Sequence, residues 1–401
     1  MLPLAVSYMR CCLIRHCLAL LLSICCLSSI ARAESEPLAE SARVSVIEFM
    51  LQQAIAQRLI NGAVVVVGDR HGILYERAVG LAGFSDEAPA LTTAAVFDVA
   101  SLTKVFATTP AIVKLLDQGR LSLLDPISSW FAEFEGSDIT ILNLLTHTSG
   151  LHDVGLDRAE PMQSAINRAA AQTGRVTAGT RFKYADINFI LLGELVRRIS
   201  GLPLDRYAHQ MFYAPLGMQT AGFTPVPNSN NASTLGGGRT ALTGVVQDEN
   251  ARILGGVAGH AGLFSSVHDL ARFVGMLLSG GQLDGTRVLS SRAVAQMTAP
   301  YFFRNGSVVV RGLGWDRESP FSTPKGTIFS EFSYGHTGYS GTSVWIDPDA
   351  DLFVLLLTTR VDYQRLRSFN KLRGDISTLA AALFVGRERR SMLETPVNPG
   401  P

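Results

Sequence analysis

The five cysteines all lie near the amino terminus, and their placement limits more than any other feature how this chain can fold. They are Cys11, Cys12, Cys17, Cys25 and Cys26. From residue 27 onward, disulfide bonds, a cysteine nucleophile and thiolate metal sites are therefore all excluded. The rest of the chain must be held together by an apolar core, and a composition of 47% apolar and 17% charged residues is sufficient for one.

The segment that carries these cysteines has the pattern of a signal peptide. Arg10 and Arg15 precede an apolar run over Cys17–Ile30, and Ala31-Arg32-Ala33 after it resembles a cleavage site with small residues at its first and third positions. Because a membrane-spanning helix needs about 20 apolar residues, we predict a signal peptide over residues 1–33 that is cleaved after Ala33. The predicted location is periplasmic or secreted, and an uncleaved membrane anchor is the alternative.

Charge excludes one class of partner. Loss of the signal peptide would reduce the 35 basic side chains to 32, against 34 acidic ones, which gives a net charge of −2. A nucleic-acid-binding surface requires a basic excess, so no nucleic-acid partner is predicted. Any membrane association would come only through the amino-terminal segment if it stayed uncleaved.

Strand patterns at both ends of the chain, with helical patterns between them, indicate the fold class. Two strand–turn–strand patterns pair residues 63–67 with 73–80 and residues 342–346 with 352–359. We predict an α/β (α+β) fold, an antiparallel sheet flanked by helices and built from both chain ends. A mostly helical lobe would be inserted over roughly residues 110–250. One domain would cover residues 34–386, and a flexible tail residues 387–401.

Apolar spacing between the strands predicts the helices. They cover Ser41–Leu59, Thr103–Gln118, Asp186–Ser200, Leu204–Met211 and Ile376–Phe384. Pro110 should kink the second of them, because proline lacks the N–H that a helix interior requires. The polar, glycine-rich stretch Ser229–Gly238 is predicted to be a loop.

The segment Phe97–Lys104 holds the candidate nucleophile, Ser101. Lys104 follows it by three residues, a spacing that makes two side chains neighbours on a helix. A serine hydroxyl needs an adjacent base, and burial would lower the pKa of Lys104 toward that role. The alternative is a helix-capping serine followed by a solvated lysine.

A second candidate segment, Tyr184–Asp186, lies where a loop meets a predicted helix. The phenol of Tyr184 would approach Ser101 and act as a base if nearby cations lowered its pKa by about 3 units, or roughly 4 kcal/mol. Lys104 is the available cation, and the two groups would share the proton. Asp186 would accept a hydrogen bond from a substrate amide, or else cap the helix.

The third candidate segment is Gly335–Tyr339, before a predicted strand. Its small residues would let an edge strand approach a ligand closely, Gly338 included. The N–H groups of Tyr339 and Ser101 would form an oxyanion hole, while His336 and Thr337 would bind a substrate carboxylate or polarise the site. The alternative is an ordinary glycine-rich turn.

Taken together, these three segments resemble the serine β-lactamase and penicillin-binding-protein superfamily. Its motifs are matched by Ser101-x-x-Lys104, Tyr184–Asp186 and His336–Gly338. The tyrosine makes the second motif similar to the branch of class C β-lactamases, D-alanyl-D-alanine carboxypeptidases and esterases. The flanking segments Leu144–Leu151 and Gly259–Ser266 resemble that branch too, over roughly residues 42–385 in all. The resemblance implies an acyl-enzyme at Ser101, formed from an ester or amide.

Two positions depart from that resemblance. His336 stands where β-lactamases of this branch usually have lysine, and histidine is mostly neutral at pH 7. Asp186 stands where they usually have asparagine, and its carboxylate would repel an anionic substrate. We therefore expect a weak β-lactamase at most. The expected substrate is less anionic or amine-bearing: a D-alanyl peptide, a peptidoglycan-derived fragment or a small ester.

A metal centre is an alternative around Asp248, Glu249, His260 and His268. They show neither a His-Glu-x-x-His motif nor another characteristic ligand interval, so they are interpreted as surface acidic residues and loop histidines. His260 is also predicted to line the cleft opposite Ser101. Neither a metal nor a cofactor is predicted.

Two other functions compete with this prediction. An α/β-hydrolase needs a Gly-x-Ser-x-Gly turn, and the nearest match, residues 338–342, ends in threonine. A chain that is acylated at Ser101 and then fails to turn over would be a penicillin-binding or sensor-type receptor.

Overall fold

The computed structural model describes residues 45–225, 230–236, 240–305 and 307–385, without the side chains of residues 302–308. The predicted signal peptide and tail lie outside these residues, and the predicted domain limits stay predictions. The chain divides into two compact units, Met1–Phe49 and Met50–Pro401, and the sheets and the candidate site all lie in the second. Within the described ranges, every helix is too short or too polar to cross a membrane.

Ten α-helices are described. They are α1 (residues 45–56), α2 (Thr109–Asp117), α3 (Ile141–Leu145), α4 (Pro161–Ala170), α5 (Ile187–Ser200), α6 (Leu204–Ala208), α7 (Glu249–Ile253), α8 (Val267–Leu278), α9 (Ser291–Thr298) and α10 (Leu366–Phe384). Short 3₁₀ turns cover Ala100–Leu102, Ile127–Ser129, Ala132–Phe134 and Thr323–Lys325, and π-helical turns cover Lys104–Thr108 and His209–Tyr213.

Fifteen strands are described. They are β1 (Ile60–Asp69), β2 (Gly72–Gly80), β3 (Phe97–Asp98), β4 (Gly222–Phe223), β5 (Ser233–Gly236), β6 (Thr240–Thr243), β7 (Leu263–Ser265), β8 (Gln282–Leu283), β9 (Thr286–Arg287), β10 (Tyr301–Asn305), β11 (Ser307–Arg311), β12 (Asp316–Glu318), β13 (Tyr334–Thr337), β14 (Ser343–Asp347) and β15 (Leu352–Arg360).

The main sheet joins the two ends of the chain. Its eight strands run in the order β10-β11-β12-β13-β14-β15-β1-β2, and every neighbouring pair is antiparallel. β1 pairs with β15, with Val65 opposite Leu356. Nearly every residue of both strands is buried, which requires cover on both faces; α8 packs against both strands and α10 against β15. The predicted antiparallel sheet flanked by helices is confirmed.

The inserted helices pack around α5. Its residues from Ile187 to Val196 are buried on every side, and α2, α3, α4 and α6 all contact it. Each fully buried leucine there, such as Leu191, stabilises the fold by roughly 2 kcal/mol. A small sheet, β3-β7-β4, lies beside this helical region and leads directly into the candidate nucleophile.

The helix predicted over Thr103–Gln118 consists of two elements, a π-helical turn and α2, and a 3₁₀ turn directly precedes it. Pro110 lies in the first turn of α2 and cannot donate to the Phe106 carbonyl one turn earlier. The Tyr213 hydroxyl donates to that carbonyl instead, at 3.1 Å. Burial raises the pKa of Tyr213, so the hydroxyl keeps its proton and remains a donor.

Three other sequence predictions need correction. Ser229–Gly238 is not all loop, because β5 lies in it and pairs with β6. α10 begins at Leu366, well before Ile376. Its first half buries the charged Arg373, and a search for apolar spacing does not detect such a segment. β13 is not an edge strand, because it pairs with β14 along its length and with β12 at Gly335.

Candidate active site

The candidate nucleophile lies in a strained turn that follows β3. Ala100, directly before Ser101, has a φ of 49°, in the left-handed region. The Asp98 carboxylate accepts hydrogen bonds from the N–H of Ala100 at 2.8 Å and from the N–H of Gln247 at 2.7 Å. Because a left-handed alanine costs about 1–2 kcal/mol, these two bonds hold the turn in a conformation that it would not adopt alone.

The turn between β13 and β14 holds the same segment from its other side. The Ser340 hydroxyl donates to the Asp98 carbonyl at 2.8 Å, and the Thr342 hydroxyl donates to the Val99 carbonyl at 2.9 Å. A Cβ at Gly338 would collide with Thr342 Oγ1 and the Val99 oxygen, so only glycine fits. The third predicted segment therefore lies directly against the nucleophile turn.

Lys104 lies on the π-helical turn and is completely buried. Its Nζ is 3.0 Å from Ser101 Oγ, 3.0 Å from the His260 carbonyl oxygen and 2.8 Å from Asp186 Oδ1. The side chains of Ser101 and Lys104 thus meet, and the alternative of a solvated lysine is wrong.

Tyr184 reaches the same serine from the loop before α5. Its hydroxyl is 3.1 Å from Ser101 Oγ, and Lys104 Nζ lies 5.0 Å from the centre of its ring. The ring stacks on His147, with 4.4 Å between centroids. His147 Nδ1 in turn accepts the N–H of Ala185 at 3.3 Å, which fixes the stacked pair to the chain beside Tyr184.

The protonation states at rest differ from those that the sequence suggested. Burial by itself would lower the pKa of Lys104, but the Asp186 carboxylate outweighs it and the net pKa is raised. Burial also raises the pKa of Tyr184, and this effect exceeds the opposite pull of Lys104. The resting site therefore holds an ammonium and a neutral phenol, so neither group is a free base.

Asp186 occupies the cap position of α5 without capping it. Its side chain makes no hydrogen bond to the helix N–H groups; Asp153 Oδ1 accepts the N–H of Ile187 instead, at 3.0 Å. Burial tends to raise the pKa of Asp186, but the Lys104 ammonium prevails and lowers it, so the carboxylate is ionised. The helix-cap alternative is wrong, and Asp186 is the counter-ion of Lys104.

The third segment brings further groups to the serine. Among the described residues, no acceptor takes the N–H of Ser101 or of Tyr339, as an oxyanion hole requires. His336 Nδ1 donates to the Thr337 carbonyl at 2.9 Å, which leaves Nε2 as an acceptor. Burial holds the pKa of His336 well below its usual value, so the ring is neutral.

The four residues considered as metal ligands do not lie together. Asp248 Oδ1 accepts a hydrogen bond from His260 Nε2 at 2.8 Å, and both side chains lie near Asp186. Glu249 pairs instead with Arg158 on the surface, and His268 with Glu76. His260 lies in the bend before β7, as a loop histidine should, although only 1% of it is exposed. His268 lies on α8, so its interpretation as a loop histidine is wrong.

Two cavities meet at the candidate nucleophile. A wide cavity of about 1020 Å³ holds Asp186, Asp248 and His260, and a narrow cavity of about 250 Å³ holds His336, Thr337 and Gly338. Ser101, Tyr184 and Tyr339 line both. A substrate whose scissile carbonyl lies at Ser101 would therefore extend one end into each cavity.

The sequence offered no signal for three arginines that line the narrow cavity: Arg311, Arg360 and Arg373. Arg311 is paired with Asp316 at 2.8 Å. No carboxylate oxygen of a described residue lies within 4.0 Å of the other two guanidinium groups. Burial lowers the pKa of Arg360, and it lowers that of Arg373 to about 9. Two buried positive charges thus lack an anionic partner beside Ser101.

Comparisons with known proteins match most of the chain. A family model described as Beta-lactamase matches residues 47–375. A Salmonella agona (strain SL483) protein named "Putative D-alanyl-D-alanine carboxypeptidase" is 31% identical over 343 residues, 74% of this chain and 78% of its own length.

Two solved structures share the fold. One is a novel penicillin-binding protein homologue from Caulobacter crescentus, 19% identical, with a TM-score of 0.68 over 85% of this chain and 97% of its own. The other is EstCE1, a hydrolase with promiscuous acyltransferase activity, 20% identical, with a TM-score of 0.66 over 85% and 99%.

Proposed function

This chain belongs to the Beta-lactamase family and is a serine hydrolase; we propose that it forms an acyl-enzyme at Ser101 and, from the signal-peptide pattern of residues 1–33, that it is exported. One observation carries the proposal: Lys104 Nζ and the Tyr184 hydroxyl lie 3.0 Å and 3.1 Å from the same serine oxygen. A hydroxyl contacted by a buried ammonium and a half-buried phenol is positioned to lose its proton as it attacks a carbonyl.

Acylation proceeds by a concerted proton transfer, because neither Lys104 nor Tyr184 is a free base at rest. Ser101 Oγ bonds to the carbonyl carbon of an ester or amide, and its proton passes to the Tyr184 oxygen. The phenol proton passes to the leaving oxygen or nitrogen as the scissile bond breaks. Lys104 stays an ammonium and stabilises the negative charge that develops on Ser101 Oγ and on the Tyr184 oxygen.

The negative charge on the substrate oxygen requires its own donors. The N–H groups of Ser101 and Tyr339 supply them, and one such donor is worth roughly 10²–10³ in rate. In deacylation a water adds to the acyl carbon and gives its proton to Tyr184, whose own proton returns to Ser101 Oγ. The water and the acyl group leave as a carboxylic acid, and the site is restored.

The narrow cavity supports a substrate that carries a carboxylate. Arg360 and Arg373 are buried without an anionic partner, and Arg360 Nη2 and Arg373 Nε make no hydrogen bond to a described residue. A substrate carboxylate would neutralise this charge through charge-assisted hydrogen bonds. These two arginines reverse the expectation of a less anionic substrate. They favour a D-alanyl peptide with a free carboxyl end, as in a peptidoglycan-derived fragment.

Covalent labelling tests the proposed nucleophile. Intact-protein mass spectrometry should show one fluorophosphonate adduct on the wild type and none on Ser101→Ala. Ser291→Ala, which changes an exposed serine, should keep the adduct. Labelling that persists in Ser101→Ala would place the nucleophile elsewhere.

Turnover separates a hydrolase from a receptor. A short-chain chromogenic ester should give many equivalents of product per protein, whereas a receptor would stop after one. Amino-terminal sequencing of the exported protein should begin at Glu34 if residues 1–33 are a cleaved signal peptide.

A further inference from the structure

The wide cavity contains a polar cluster that the proposed acylation chemistry leaves without a ligand. Asp186, Asp248 and His260 come from separate segments, and one acceptor atom of each lies within 4.8 Å of the others. We propose that this cluster binds a primary ammonium group on the acyl part of the substrate. The inference rests on the proposed function, because it places that acyl group beside Ser101.

Charge favours a cation at this position. Asp186 and Asp248 are both ionised: burial opposes ionisation of Asp248, but the His260 hydrogen bond and nearby positive charge lower its pKa to about 2. The Lys104 ammonium contacts Asp186 and so neutralises one of these two carboxylates. Among the described residues, the second carboxylate contacts no lysine or arginine, and its side-chain partner at the wall of the cavity is the His260 imidazole.

Asp248 has one oxygen available for a ligand. Its Oδ1 takes both described hydrogen bonds, from His260 Nε2 and from the N–H of Ala251, each at 2.8 Å. None of the described residues donates to Oδ2, and the side chain is 35% exposed toward the cavity. The Asp248 carboxylate is thus held in place by one oxygen and open at the other.

His260 is built as a support for that carboxylate. The side chain is 1% exposed and lines the cavity, and Nδ1 has no hydrogen-bond partner among the described residues. His260 donates Nε2–H to Asp248, and its Nδ1 has no hydrogen-bond partner among the described residues, so one ring nitrogen remains available beside the open oxygen of Asp248.

An ammonium fits the cluster better than a metal ion does. A divalent metal bound to these residues would face the Lys104 ammonium, 2.8 Å from Asp186 Oδ1. It would also have to break the hydrogen bond between His260 and Asp248 to use the bonded atoms. A primary ammonium can instead donate to the open oxygen of Asp248 and leave both contacts intact.

The two cavities then define a substrate class. The narrow cavity binds a carboxylate on the leaving group, and the wide cavity binds a free amine on the acyl group. The favoured substrates are therefore D-amino-acid esters and short peptides with an unblocked amino group near the scissile carbonyl. Acetylation of that amine removes its charge and two of its donors and should weaken recognition.

A matched pair of esters provides the test. The wild type should hydrolyse D-alanine methyl ester with a kcat/KM roughly ten- to a hundredfold above that for N-acetyl-D-alanine methyl ester, the range of a hydrogen bond to a charged group. Asp248→Asn should abolish this preference, with the loss in kcat/KM falling on the unblocked ester. Glu249→Gln, the neighbouring acid that pairs with Arg158 on the surface, should keep the preference.

Binding without turnover separates this inference from the proposed function. Calorimetry on Ser101→Ala should detect D-alaninamide but not N-acetyl-D-alaninamide, and the Ser101→Ala/Asp248→Asn double variant should bind neither. Equal hydrolysis of both esters, or an equal loss on both in Asp248→Asn, would overturn the ammonium subsite while Ser101 labelling still supports the hydrolase. Stoichiometric zinc in the purified wild type that is lost in Asp248→Asn would overturn it in favour of a metal.

Discussion

Lys104 and Arg373 are both buried cations near Ser101, yet their pKa values move in opposite directions. The pKa of Lys104 rises, because a carboxylate oxygen of Asp186 lies 2.8 Å from its Nζ and outweighs burial. The pKa of Arg373 falls to about 9, because burial acts on it and its hydrogen bonds go to the carbonyls of Gly338 and Thr342. The counter-charge, and not the burial, decides which cation is already neutralised and which one remains for a ligand.

The greatest loss of activity should come from replacing Lys104, the cation that a carboxylate already neutralises. Lys104→Ala should lower kcat/KM by about 10²–10³ on every substrate, with or without a carboxylate, since the ammonium stabilises the charge that develops at Ser101 itself. Steady-state kinetics on a charged and an uncharged ester would show this. Lys114→Ala, a lysine of α2 that donates to the Val288 carbonyl, is the control and should stay near the wild-type rate. A similar loss in both variants would reduce Lys104 to a structural role.

Asp98 extends the comparison to a buried anion that only backbone N–H groups hold. Burial raises its pKa from 3.8 to about 6. Between these values the folded protein binds the proton more tightly than the unfolded chain does, so this contribution to stability is complete below pH 3.8 and is lost as the pH rises through 6. It amounts to about 3 kcal/mol.

Denaturant unfolding at a series of pH values tests this contribution. The free energy of unfolding of the wild type, relative to Asp98→Asn, should fall by about 3 kcal/mol across that window. Parallel pH profiles for the two proteins would contradict the raised pKa.

Replacing Arg373, the cation without a carboxylate partner among the described residues, should have a weaker and more selective effect on activity. Arg373→Gln should lower kcat/KM by roughly ten- to a hundredfold for a peptide or ester with a free carboxylate, the range of a charge-assisted hydrogen bond. An uncharged ester should be hydrolysed as before and serves as the internal control. If both substrates lose activity in proportion to a lower melting temperature, the arginine acts only on stability.

The smallest predicted effect is a shift in the pH dependence of acylation. It should result from removing the counter-charge of Lys104, which leaves this cation, like Arg373, without a carboxylate in contact. Asp186→Asn removes the charge that raises the pKa of Lys104, so burial should then lower it. The alkaline limb of the fluorophosphonate acylation rate should move to lower pH. Asp153→Asn keeps an acceptor for the Ile187 N–H and should leave the profile unchanged. An unshifted profile in Asp186→Asn would mean that Asp186 does not control Lys104.

Local patterns were enough to locate the groups that meet at Ser101. The spacing of Ser101 and Lys104, and the placement of Tyr184 before a helix, are properties of short segments, and the structure brings all three side chains together. The direction of the pKa shift on Lys104 was not accessible in the same way. It depends on Asp186, which is distant in the sequence and was assigned to a substrate contact or a helix cap.

The arginines of the narrow cavity show the same limit more clearly. Arg360 ends β15 and Arg373 lies in the first half of α10, and neither stands in a motif. Their buried charges interrupt the apolar pattern, and for that reason the start of α10 was predicted too late. The burial of His260 was not predictable from its loop for a related reason, since it comes from contacts with residues far away in the chain.

The amino-acid order alone was sufficient for the nucleophile segment, the strand pairs at both chain ends and the cysteine-free character of everything after residue 26. These follow from composition, from periodicity and from residues a few positions apart. Which charges are paired emerged only on folding, because electrostatic energy depends on distances in space and on burial. That pairing leaves one Asp248 oxygen without a donor in one cavity and, among the described residues, two guanidinium groups without a carboxylate in the other, and the proposed substrate follows from these two differences.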